Sequence, residues 1–119
     1  MRLVKAAYDH EVIRDFSVSG ELALPIGKRM VRYGNTNRLT TNPEWDIGLQ
    51  KTGYISAAGR CLVMQAVIEG KRVVMVLLDS VGKYSRLGDA ERIRDWLEAT
   101  HVGALPPRSS SSTGVVRPI

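Results

Sequence analysis

Lys51, Thr52 and Gly53 are the residues whose types and order point most directly to chemistry. They close a strand-like run, Asp46-Ile47-Gly48-Leu49-Gln50, in which apolar and non-apolar positions alternate. Lys51 supplies a fixed cation and Thr52 a hydroxyl beside it. Gly53 has no side chain, so a second chain can approach the backbone closely. A strand end of this kind can hold a carboxylate and offer its edge to an extended peptide. The other reactive residue types are less suggestive. Cys61 is the single cysteine; it sits in an apolar run, cannot form an internal disulfide, and reads as a small buried hydrophobe. His10 and His101 stand in polar segments with no second ligand at metal spacing, so they read as solvated and no metal or cofactor is indicated. Ser109-Ser110-Ser111-Ser112 is followed by no lysine that could activate it.

The elements that must position the Lys-Thr-Gly triplet are legible around it. Cys61 to Ile68 is an apolar run broken by one Gln, and Glu69-Gly70-Lys71 is a tight turn. Val73 to Leu78 is unbroken apolar and reads as a central strand that needs cover on both faces. Three successive strands, near 46–54, 60–69 and 72–79, form an antiparallel meander. After the polar loop Ser80–Ser85 comes an amphipathic helix from about Leu87 to Thr100. One face holds Ala90, Ile93, Trp96, Leu97 and Thr100, and Asp89 lies in its first turn. Upstream, residues 2–9 read as a helix, and Asp9 as the cap of a second short one over Glu11 to Phe16. Two short extended runs, Leu22–Leu24 and Arg29–Tyr33, are interrupted by Pro25 and Gly27. Turn signals follow at Gly34–Asn37, where Asn35 and Asn37 read as turn formers, and at Thr40–Pro43. Trp45 and Trp96 read as core residues and Arg60 as a surface residue. The fold class is α+β.

At 119 residues the chain is at most one domain. Residues 1–103 form that domain. Residues 104–119, rich in Pro, Ser and Gly without a period, read as a disordered tail. Net charge is +5, from 17 Lys and Arg against 12 Asp and Glu. Between Glu21 and Glu44 stand Lys28, Arg29, Arg32 and Arg38 and no acid. Such a patch attracts polyanions such as nucleic acid, anionic lipid head groups or cell-wall polymer; the simpler reading is a solvated strand face. The start of the sequence carries no signal-peptide pattern, and no apolar stretch is long enough to span a membrane.

A Lys-Thr-Gly triplet is one of three motifs of penicillin-binding proteins and class A β-lactamases. The matching context is wider: Gly34-Asn35-Thr36-Asn37-Arg38-Leu39, Gln50 to Tyr54, Ala58-Gly59-Arg60-Cys61-Leu62-Val63, and Val73 to Asp79. Over roughly residues 2 to 102 the chain resembles the C-terminal part of low-molecular-weight penicillin-binding proteins, the serine-type D-alanyl-D-alanine carboxypeptidases and endopeptidases. The Lys-Thr-Gly-Tyr segment, the Ala-Gly-x-Cys-Leu-Val entry to the next strand and Gly82-Lys83-Tyr84 before the last helix resemble the endopeptidase branch most. The resemblance implies the incomplete C-terminal part of a β-lactamase/transpeptidase-like fold, whose sheet joins strands from both ends of a longer chain. It implies that Lys51, Thr52 and Gly53 bind substrate. Lys51 also serves catalysis, and the backbone N–H of Tyr54 is one oxyanion-hole donor. Lys83 or Arg86 would help hold the substrate carboxylate.

The resemblance further implies peptidoglycan peptides as partners, not nucleic acid, and a periplasmic location for the full-length family. β-Lactams would be bound only by the full-length enzyme. No S-x-x-K motif stands ahead of the Lys-Thr-Gly triplet and no Ser-x-Asn motif is present, so the chain alone is expected to be inactive and to self-associate. The competing reading is a non-catalytic binding module for an anionic polymer or a partner's strand.

Overall fold

The computed structural model describes residues 1–101 and 113–118. Helices α1 (Arg2–Tyr8) and α2 (Glu11–Val18) come first. A hairpin of β1 (Glu21–Ile26) and β2 (Arg29–Gly34) follows, then a 3-10 turn at Arg38–Thr41. The meander β3 (Asp46–Ile55), β4 (Gly59–Ile68) and β5 (Lys71–Ser80) leads to α3 (Ser85–His101) and β6 (Thr113–Pro118). Two antiparallel sheets result. One is the β1–β2 ribbon and the other has the order β3-β4-β5-β6. This is the α+β meander expected from the sequence, with each strand boundary within about two residues of its predicted place, the usual uncertainty of such ends.

The period-two alternation of β4 and β5 gives each face of the sheet its own core. Leu62, Met64, Ala66 and Ile68 of β4 and Val73, Met75 and Leu77 of β5 face one way. Leu87, Ala90, Ile93 and Leu97 of α3 pack on them, together with Leu39, Trp45 and Ile47. Leu62, Met64, Met75 and Leu77 are fully buried; each contributes about 1.5–3 kcal/mol of burial. On the opposite face Leu49, Val63, Val74 and Val76 meet Val4, Ala7 and Tyr8 of α1.

Four local expectations are corrected. Trp96 is not the packing residue of α3: the helix seats Leu87, Ala90, Ile93 and Leu97, one every three or four positions, and leaves Trp96 half-buried beside that stripe. Because α3 begins at Ser85, Asp89 lies beyond its first turn; it is buried and pairs with Arg92. The residue before α2 is His10, with Asp9 ending α1. The second face of the sheet is covered in part by α1, a role the sequence assigned to no element.

The C-terminal region differs as well. Residues 104–112 and 119 of the expected disordered tail, like the domain boundary after 103, lie outside the described residues. Over Thr113–Pro118 the chain forms β6, antiparallel to β5, with Val76 opposite Val115 and Leu78 opposite Thr113. An open β5 edge is a row of unpaired amides and carbonyls, and Thr113, Val115 and Val116 are β-branched residues suited to pairing there.

Candidate active site

The triplet lies in the second half of β3, at the outer edge of the sheet. Its inner edge pairs with β4, setting Lys51 opposite Val63, Thr52 opposite Leu62, Gly53 opposite Cys61 and Tyr54 opposite Arg60. Opposite residues share a face. Lys51 and Gly53 therefore belong to the α1 side, and Thr52 and Tyr54 to the α3 side. Lys51 is exposed, and its Nζ donates to the Thr52 carbonyl at 2.5 Å. Thr52 is buried. A Cβ placed on Gly53 would meet nothing within 4 Å, so the strand edge there is open to another chain.

A cleft of about 250 Å³ borders the triplet, lined by Phe16, Ser17, Gly34, Asn35, Thr36, Gln50, Lys51 and Thr52. Asn35 holds this cleft together. Its Nδ2 donates to the carbonyls of Ser17 (3.0 Å) and Ser19 (2.9 Å). Its Oδ1 accepts from the Gln50 Nε2 and the Asn37 amide, each at 3.0 Å. Gln50, immediately before Lys51, also donates to the Ser17 carbonyl at 2.6 Å. Thr36 extends the network, with its hydroxyl 2.5 Å from that of Thr52. Asn37 is fully buried, and its Oδ1 accepts from the Leu39 amide that opens the 3-10 turn. Asn35 and Asn37 thus act as turn formers and also join three segments at the cleft. Thr36 and Gln50 were missed as cleft residues. Nothing in β3's alternation marks Gln50; the only signal for Thr36 was its place between two asparagines.

Lys83 and Arg86, read together from the sequence, separate in the structure. Lys83 is an exposed loop residue over the Tyr84 ring, at 5.6 Å from its centre. Arg86 is not in the loop; it lies in the first turn of α3 and is only 7% exposed. Its Nε has no hydrogen-bond partner among the described residues. Burial pushes its pKa down, the Arg60 guanidinium pushes it further down, and Cys61 acts in the opposite direction. Arg60 and Cys61 are the cross-strand neighbours of Tyr54 and Gly53. Arg86 therefore stands at the end of the sheet where the triplet ends. Among the described residues no carboxylate pairs with Arg86, and a buried guanidinium so placed favours an anionic ligand.

The remaining candidates take structural places. Arg60 is half-buried and stacks on Tyr54, 4.9 Å from the ring centre. Trp45 is buried beneath Arg94, which lies 5.4 Å from its ring centre. Cys61 is half-buried and its Sγ donates to the Ala58 carbonyl at 3.4 Å. The β4 entry turn requires glycine at 59, where φ is +68° and a Cβ would stand 2.9 Å from the Asp79 Cα. Among the described residues no three His, Cys, Asp or Glu side chains gather as a metal site. No helix of the described residues is long and apolar enough to cross a membrane.

A strand-end lysine, a hydroxyl and an open strand edge thus stand together in β3, with the buried Arg86 at the same end of the sheet. The family model for D-alanyl-D-alanine carboxypeptidase matches residues 1–82. The chain belongs to this D-alanyl-D-alanine carboxypeptidase family of peptidases. A D-alanyl-D-alanine endopeptidase of Escherichia coli (strain K12) is 44% identical over 79 residues, covering 66% of this chain and 26% of that protein. A D-alanyl-D-alanine endopeptidase of Pseudomonas aeruginosa is 38% identical over 107 residues, covering 88% of this chain and 34% of that protein. The chain thus spans about a quarter to a third of the length of the curated relatives it matches.

Proposed function

We propose that these residues supply the Lys-Thr-Gly wall of a serine-type D-alanyl-D-alanine peptidase acting on peptidoglycan stem peptides, with cross-link cleavage, the endopeptidase reaction, favoured. The periplasm, where that substrate lies, is the corresponding location. The observation that carries the reading is the free edge of β3 at Lys51–Gly53, bordered by the Asn35 cleft. An extended peptide adds to this edge through its backbone. Lys51 attracts and orients the substrate carboxylate, and Thr52, its hydroxyl set by Thr36, donates to it. Arg86 is the better candidate than Lys83 for a second cation, since it is buried and its Nε has no partner among the described residues. The N–H of Tyr54 stabilises negative charge on the carbonyl oxygen as the acyl group is attacked.

The attacking group is an activated serine from a further S-x-x-K motif, because the match within these 119 residues, Ser80-Val81-Gly82-Lys83, has its serine buried at the end of β5 and its lysine exposed in the loop that follows. Lys51 orients and polarises but does not replace that nucleophile. The chain alone is therefore expected to remain unmodified by fluorescent penicillin. A chimera in which these residues replace the matching region of the Escherichia coli endopeptidase is expected to be acylated on its S-x-x-K serine. Mass spectrometry reads both; an adduct on the chain alone, or a folded chimera that is never acylated, contradicts the proposal.

A further inference from the structure

The β1–β2 ribbon is unaccounted for by the peptidase site. It forms a sheet of its own, and every residue of both strands is exposed except half-buried Val31. Two-stranded ribbons are marginal alone. This one is tied to the body at its base, where the Asn35 amide donates to the Gly20 carbonyl at 2.8 Å and the Asn35 side chain holds Ser17 and Ser19. Glu21, its one acid, is also at the base and is paired with Arg32 at 2.9 Å. The far end is the tight turn Gly27-Lys28, with Gly27 at φ +61°.

Two properties meet at that far end. The first is charge: Lys28 and Arg29 are exposed there, and neither has an acidic partner among the described residues. The second is apolar surface on both faces. Leu22, Leu24 and Ile26 share one face with Tyr33 and Val31, while Ala23 and Pro25 share the other with Met30. Beside the turn, Ile26 is 53% exposed and Met30 63%. A flat protein partner covers one face of a ribbon. A tip apolar on both faces and ringed by cations suits endwise entry into a medium that surrounds it.

We propose that the β1–β2 tip docks on an anionic lipid bilayer. Ile26 and Met30 enter the head-group and acyl boundary, while Lys28 and Arg29 lay their stems along the apolar surface and keep their charges among the lipid phosphates. A soluble anionic polymer would satisfy the cations but give Ile26 and Met30 no apolar medium. The six-residue strands hold the ribbon base about 20 Å from the tip. Gly34 and Asn35 line both the base and the Lys51 cleft, so docking sets that cleft about 20 Å above the lipid surface. The inference rests on the ribbon alone and stands whether or not the peptidase reading holds.

The test is flotation of the 119-residue chain with phosphatidylglycerol-containing vesicles and with pure phosphatidylcholine vesicles. Flotation keeps vesicle-bound protein apart from any aggregate, which sinks. The chain is expected to float with the anionic vesicles only. Lys28→Gln and Arg29→Gln should each weaken partitioning about fivefold, and Ile26→Ser with Met30→Ser should reduce it at least tenfold. In an Ile26→Trp variant, whose tip is still apolar, emission should shift to the blue on binding. A chain with native near-ultraviolet circular dichroism that fails to float with anionic vesicles overturns the proposal. Flotation unaffected by Ile26→Ser with Met30→Ser also overturns it and marks a surface for polyanions. Assembly of the chain without vesicles, lost on the same two substitutions, overturns it in favour of a second copy at the tip.

Discussion

Asn35 concentrates more of the candidate site's geometry than any charged residue. Four hydrogen bonds run from one amide to Ser17, Ser19, Asn37 and Gln50. Removing it leaves the buried Gln50 amide short of a partner, beside an Oε1 that already has none among the described residues. Asn35→Ala should lower unfolding free energy by about 2–4 kcal/mol, since each buried polar group left unpaired costs about 1–3 kcal/mol. Denaturant titration checks it, and a loss under about 0.5 kcal/mol, the scatter of ordinary surface substitutions, would place the network at the surface. The place of the Lys-Thr-Gly triplet in a strand was legible in the sequence because the signals that mark that strand are local. The Asn35–Gln50 pairing was not, because it joins residues 15 apart in the chain and depends on how a ribbon base meets a strand. Arg86 was legible as a cation but not as a buried one: a single position in α3 does not tell which side the sheet will cover.

At the scale of elements, the meander was read well because its signals are local. β-Branched runs mark the strands, and Gly59 and Gly70 mark the turns. Gly59 has the stricter requirement, since both its positive φ and the nearby Asp79 backbone exclude a side chain. Gly59→Ala should destabilise by about 1–3 kcal/mol, visible as a lower melting temperature. Gly70→Ala should cost less; its φ is +73° but a Cβ there meets nothing within 4 Å. Equal costs at the two positions would mean that Asp79 yields. The helix was located, and Ala90, Ile93 and Leu97 of its expected apolar face do pack on the sheet, but Trp96 does not join them. Trp96 attracts notice by size, whereas contact is set by the stripe through Leu87, Ala90, Ile93 and Leu97. β6 was missed because its pairing depends on the β5 edge, which a reading of residues 113–118 alone does not reveal.

At the scale of the whole molecule, the sheet is well covered by α3 and less fully by α1. Leu3, Val12 and Phe16 on the first two helices are each more than 60% exposed. So much apolar surface on a small chain favours association. The isolated chain should sediment as a concentration-dependent mixture in the analytical ultracentrifuge. A compact monomer with sharp near-ultraviolet signals at every concentration would show that these residues are self-sufficient, and would move the account toward an independent binding module.

The central claim is that Lys51 on the free edge of β3 serves acyl transfer to a serine outside these residues. Its most direct measurement is the rate of penicillin acylation of the Escherichia coli endopeptidase chimera, with Lys51 and with Lys51→Ala. Loss of one charge-assisted donor in a desolvated site is worth about 2–4 kcal/mol, so acylation should slow about 10²–10³-fold while the melting temperature stays within a few degrees. An unchanged acylation rate in the folded Lys51→Ala chimera would contradict the account.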